Sequence, residues 1–248
     1  MISPALSTAP PAIALPPEVY RADCLDSSHP GLPSGHARLD AELPGGGWAL
    51  GGLNEVLLDL PGALEWRLLT PMLSGRRDKP LLLINPPQVP HLPGLQIGQM
   101  LWINPATPQQ ALWATEQVIR SGDGGAVLAW LPALRDARPE QIRRLQTHAL
   151  ASRVPIFLFR PLAAARQSSP APLRLHLRCC PEPWQIEAHI LKRRGPAHEG
   201  WLTLDATPPQ LAPLLTPRMR AARFVVPTRP VPQHDHALAR PAARAVHG

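Results

Sequence analysis

Short apolar runs alternate along this chain with longer stretches in which apolar residues recur every three or four positions. The runs are Leu53 to Leu58, Pro80 to Asn85, Gln99 to Ile103, Ala126 to Leu131 and Pro155 to Phe159. Each is short and bounded by turn residues, which predicts strands, with Pro80 to Asn85 read as buried. Between them, Leu64, Leu68, Leu69, Met72 and Leu73 predict a helix over Ala63 to Leu73, ended by Ser74-Gly75. A second helix opens at Thr107, with Pro108 in the first turn and Gln110 completing a capping box, and stops at Gly122. Ile142, Leu145 and Ala149 mark a third over Pro139 to Ser152. Strands alternating with helices of this length predict an α/β fold with a parallel sheet.

Beyond Arg160 the pattern changes. Pro161 to Pro172 reads as a linker or surface loop. Leu173, Leu175 and Leu177 then alternate with Arg174, His176 and Arg178, which predicts a half-exposed strand with a basic outer face. Trp184 to Leu191 and Trp201 to Leu204 flank the turn Lys192, Arg193, Arg194, Gly195, an antiparallel hairpin closing the sheet. Residues 1–28 form a proline-rich arm without apolar period, expected to be flexible. The folded domain is then 29–206, and 207–248 is a Pro/Arg-rich tail expected to be disordered.

Composition sharpens this division. The 248 residues suffice for one sizeable domain plus tails, and 44% of them are hydrophobic, but 34 prolines exclude helix and central strand from long stretches. The formal charge of +7 rests almost wholly on arginine, since Lys79 and Lys192 are the two lysines. Six arginines and a single acid lie between Thr207 and Gly248, a balance that suits an acidic partner or nucleic acid. Cys24 and the adjacent Cys179 and Cys180 have neither zinc-ligand spacing nor a disulfide framework, and the His234-x-His236 pair lies in the tail. No cofactor or metal site is expected. Residues 1–20 lack a basic start and are broken by prolines, and no apolar run approaches a membrane span, so a cytoplasmic protein is expected.

The front of the domain carries the most specific pattern. SGHARLDAELPGGGW leads through Gly51-Gly52 into the first strand, PGALEWRLLTPML follows it, and LKRRG lies late in the chain. On these pieces the sequence resembles the ImuA family, RecA-like and SulA-like proteins encoded beside error-prone polymerases, over residues 30–206. The resemblance implies a RecA-like, mostly parallel sheet flanked by helices. It also implies an accessory role in SOS-induced translesion DNA synthesis. The partners would be an ImuB-like relative of Y-family polymerases, an error-prone replicative-type polymerase subunit and RecA, together with a weak single-stranded DNA contact.

The chemistry of an ATPase of that fold is missing. A phosphate loop needs glycines, a lysine and a hydroxyl in G-x-x-x-x-G-K-[ST]. After Leu58 the chain reads DLPGALEWR, with Gly62 alone, no lysine, and Glu65 and Trp66 near the place of the anion. The second strand ends in Asn85-Pro86-Pro87 and the fourth in Trp130-Leu131-Pro132, where carboxylates would polarise water and hold magnesium. A non-catalytic protein is therefore expected, with no catalytic or nucleotide-binding residues. The candidate recognition surface for a partner or DNA is Arg174 and Arg178 with Lys192, Arg193 and Arg194; its bland counterpart is a solvated sheet face with a charged hairpin tip. The rival function is a SulA-like cell-division inhibitor that binds a tubulin-like division protein.

Overall fold

The computed structural model describes residues 30–62, 64–76, 78–88, 100–131, 137–208 and 211–216. The expected arm at 1–28 and nearly all of the expected tail lie outside these residues.

The elements follow the apolar pattern closely. A short helix α1 (Ala37–Asp40) leads to β1 (Leu53–Leu58), α2 (Leu64–Ser74), β2 (Leu81–Ile84) and β3 (Met100–Ile103). Then come α3 (Pro108–Ser121), β4 (Ala126–Trp130), α4 (Pro139–Ala149) and β5 (Ile156–Pro161). The chain ends its sheet with β6 (Leu173–Cys179), β7 (Gln185–Lys192) and β8 (Leu202–Asp205). The strand order is β3-β2-β4-β5-β1-β6-β7-β8. Every pair from β3 to β6 is parallel, while β7 runs antiparallel to both β6 and β8.

Alternation along β1 divides the core in two. Val56 and Leu58 join Leu68, Leu69 and Met72 of α2 and Trp48 on one side. Leu53 joins Leu112 of α3, and Ile142 and Leu145 of α4, on the other. The sheet is thus sandwiched between helices, and β1, paired on both edges, is buried along its whole length.

Local signals account for the boundaries. Thr107 accepts a hydrogen bond from the Gln110 N–H at 3.2 Å, and Gly122 ends α3 at φ 69°, a left-handed conformation that suits glycine. In the front segment, Leu32 and Trp48 exchange backbone hydrogen bonds of 2.9 and 2.7 Å. Gly35, at φ 83°, lies so close to Pro71 of α2 that a Cβ would fall 2.4 Å from the Pro71 Cβ. Beside it, His36 Nε2 meets the Leu68 carbonyl oxygen at 3.0 Å, and because a carbonyl can only accept, the ring proton sits on Nε2. The SGH motif is therefore a clasp between the front segment and α2.

Several boundaries differ from the sequence expectation; Lys192, expected in the hairpin turn, ends β7, and β5 runs on to Pro161. The third helix was expected to run to Ser152 but ends at Ala149, where Ser152 N–H turns back to the Ala149 carbonyl. The segment 161–172 is not a plain linker. It contains a 3-10 turn at Leu162–Arg166, and Ala164 and Ala171 are fully buried.

Candidate functional site

In a parallel sheet the strand C-termini lie along one edge, where α/β proteins place their ligands. Here that edge holds the turn after β1 and the ends of β2 and β4. Glu65, in the first turn of α2, is completely buried. Its Oε1 accepts the Gly62 backbone N–H at 2.6 Å and the Trp130 indole N–H at 2.7 Å. Asn85, at φ 54°, donates from Nδ2 to the Trp130 carbonyl at 3.0 Å, and Gln88 donates to the Gly62 carbonyl at 2.7 Å. The Trp130 ring packs between Trp66 and Phe159, with centroids at 5.6 and 4.7 Å.

Exposed N–H groups and the macrodipole make a helix N-terminus attractive to anions. At α2 the protein supplies its own anion, the Glu65 carboxylate. Glu65 has no solvent exposure, and its second carboxylate oxygen, Oε2, has no hydrogen-bond partner among the described residues. Glu65, Asn85 and Trp130 were read from the sequence as three separate departures from ATPase chemistry; the structure joins them into one hydrogen-bonded network.

A second charged constellation was not anticipated. Glu55 projects from the middle of β1 and is fully buried. Its Oε1 accepts Arg160 Nη1 at 2.6 Å and its Oε2 accepts Arg174 Nε at 2.7 Å. Arg160 Nη2 also donates to the Ala137 carbonyl and to Gln167 Oε1. Arg174 donates to the carbonyls of Ala164 and Gln167. The triad ties β1, β5 and β6 to the 161–172 connection. Its signal was a glutamate inside an apolar run, since a charge in a central strand must be paired.

This overturns the expected placement of Arg174. It does face the same side as His176 and Arg178, as strand alternation requires, but the 161–172 connection covers it and it is buried. Arg178 is exposed yet paired with Glu187 at 2.6 Å, and its guanidinium lies 3.8 Å from the Trp201 ring centroid. Lys192 donates to the Ser169 carbonyl at 2.7 Å. Burial, with the Arg174 guanidinium nearby, lowers its pKa from the usual lysine value against the opposing pull of Glu55. Arg193 folds back onto Glu42, donating to its carbonyl and, at 2.7 Å, to its carboxylate. Arg194 is exposed and has no hydrogen-bond or ion-pair partner among the described residues. The five basic residues therefore do not form one continuous cationic patch.

Beyond β6, Trp201 covers the outer sheet face. His176 and His189 lie against it with centroids at 5.0 and 5.3 Å, and His176 Nε2 is 4.0 Å from Asp59. Desolvation lowers the His176 pKa below the usual histidine value, helped by His189 and Arg178 and opposed by Asp59. Cys179 and Cys180 are free thiols, and among the described residues no cluster of His, Cys, Asp or Glu could hold a metal ion. No helix of the described residues is long and apolar enough to cross a membrane.

The strand order, the helices on both faces and the C-terminal antiparallel strands define a RecA-like fold. Among solved structures the chain is similar to that of the RadB recombinase, with a TM-score of 0.53 and 15% identity over 69% of this chain and 94% of that one. No protein-family model matches the chain, and no curated protein does either.

Proposed function

We propose that the protein is a non-catalytic, RecA-like accessory factor of SOS-induced translesion DNA synthesis. It would act as an adaptor in an assembly with an ImuB-like polymerase relative and an error-prone replicative-type polymerase. The observation that carries the non-catalytic part is the Glu65 carboxylate at the α2 N-terminus, held by Gly62 and Trp130. A nucleotide phosphate entering there would meet a buried carboxylate and find the Gly62 N–H already taken, a costly encounter in a desolvated site. The mutagenesis part rests on the resemblance of the SGHARLDAELPGGGW, PGALEWRLLTPML and LKRRG segments to the ImuA family. The RecA-like fold is compatible with both.

Two measurements test the reading. Millimolar ATP with magnesium should leave the melting temperature unchanged, whereas a ligand at about 100 times its Kd would add roughly 2.7 kcal/mol. Deleting the gene should abolish DNA-damage-induced mutagenesis and leave division normal. Saturable ATP binding at the Gly62–Glu65 turn would refute the first part. Wild-type mutagenesis in the deletion strain, with filamentation on overproduction, would favour a SulA-like division inhibitor instead.

A further inference from the structure

The opposite edge of the sheet, where β1, β5 and β6 begin, holds an open cavity of about 550 Å³. This is within the roughly 300–1,000 Å³ range of ligand pockets. Pro44, Leu50, Leu150 and Pro172 contribute apolar walls, and Arg153 and Arg194 are its charged lining residues. Leu50 and Leu150 are among the large hydrophobic residues left exposed, at 40% and 61% of their surface. Single exposed leucines need no explanation, but two on the rim of one cavity form a patch.

Five arginines elsewhere on the domain are neutralised: Arg144 by Glu116, Arg160 and Arg174 by Glu55, Arg178 by Glu187 and Arg193 by Glu42. Arg153 and Arg194 are not, and unlike other unpaired exposed arginines such as Arg143 they line one cavity together. Both are exposed, neither has a partner among the described residues, and no acidic residue lines the cavity among those residues. The backbone holds the site in shape. Gly51 N–H donates to the Ser152 carbonyl at 3.0 Å, fixing the loop before β1 to the loop before β5. Gly51 has φ 70°, so that tie uses a conformation natural to glycine.

We infer that this cavity is a docking site for a partner protein's linear segment carrying apolar side chains flanked by carboxylates. The apolar groups would sit between Leu50 and Leu150, and the carboxylates would take paired hydrogen bonds from Arg153 and Arg194, whose planar guanidinium groups match carboxylate geometry. Nucleic acid fits less well, because among the described residues no aromatic ring lines the cavity to stack a base, and two cations neutralise few phosphates. The inference goes beyond the adaptor reading and does not depend on it. It concerns the far edge of the sheet from Glu65 and is read by binding, whereas the adaptor reading is read by mutagenesis.

The test is selection of a random peptide library on the immobilised full chain, followed by anisotropy of the enriched peptides as labelled synthetic probes. Enriched peptides should combine aspartate or glutamate with leucine-like residues. Arg153→Glu/Arg194→Glu should weaken them by about tenfold or more, as should Leu150→Ser, because each removes a complementary contact. Arg143→Glu, an exposed charge reversal on α4 outside the cavity, should leave affinity unchanged, with melting curves confirming that all variants fold. No enrichment, or enrichment indifferent to the cavity variants, would overturn the assignment. So would preferential binding of a labelled single-stranded oligonucleotide that the double arginine variant abolishes. The chain's own N-terminal segment, which joins the domain at the cavity residues Pro30 and Gly31, carries Glu18, Asp23 and Asp26. If replacing those three with serine raises peptide affinity about tenfold, the occupant is that segment and the partner assignment fails.

Discussion

Glu65 and Trp130, 65 residues apart, are joined by a 2.7 Å hydrogen bond from the indole N–H to the carboxylate. The bond connects the first turn of α2 to the end of β4. Trp130→Phe should preserve most of the ring packing against Trp66 and Phe159 but remove the donor. Because Glu65 is fully buried, water cannot replace that donor without rearrangement, and the loss should be about 1–3 kcal/mol in urea denaturation. A cost near zero would mean that the indole N–H contributes nothing to holding the carboxylate.

The Glu55 triad should respond more strongly. Glu55→Gln leaves Arg160 and Arg174 buried without their counter-charge, which should cost roughly 3–5 kcal/mol. Replacing all three by apolar residues of similar volume should recover much of that loss. If the single variant is neutral, the two guanidinium groups are satisfied by the Ala137, Ala164 and Gln167 oxygens alone.

Arg193 and Arg194 are sequence neighbours with opposite expectations. Arg193→Ala removes charge-assisted bonds to Glu42 and should destabilise by about 1.5–3 kcal/mol, whereas Arg194→Ala should stay within about 0.5 kcal/mol. Thermal melts of the two variants check this directly. Equal effects would mean that the Glu42 pair contributes nothing in solution.

The pH dependence has a definite sign. His176 has a pKa below the usual 6.5, so the unfolded chain binds more protons than the folded one in that window. Its contribution to stability is full above 6.5 and is lost as pH falls through the depressed value. Glu116, lowered chiefly by its hydrogen bond with Arg144, adds a loss of the same sign below the usual 4.5. His176→Phe should therefore flatten the decline in melting temperature between neutral and mildly acidic pH, while leaving the steeper fall below 4.5. An unchanged slope would place the responsible group elsewhere.

The strands and helices were legible because their periods are local. The apolar runs at Leu53, Leu81 and Ala126 and the Thr107–Gln110 cap needed no tertiary information. Side-chain partners were less so. Arg174 alternates with leucines as an exposed residue would, and nothing near it in sequence announces Glu55, 119 residues away. The end of α4 was misread for the opposite reason. Leu150 and Ala151 are acceptable helix residues, and it is the Gly51–Ser152 tie to the loop before β1 that draws the chain out of the helix. That departure makes one wall of the Arg153/Arg194 cavity. At the Glu65 network, each residue was legible singly as a loss, but the bonds between them depend on how the sheet brings β1, β2 and β4 together.

The central place of β1 has a consequence for the order of assembly. Leu53 pairs with Ile156 and Asn54 with Leu173, so during synthesis β1 must wait more than 100 residues for either neighbour. Until then its apolar face and the Glu55 charge have no native cover from the sheet. Such long-range pairing slows folding, and until it forms the strand is open to aggregation.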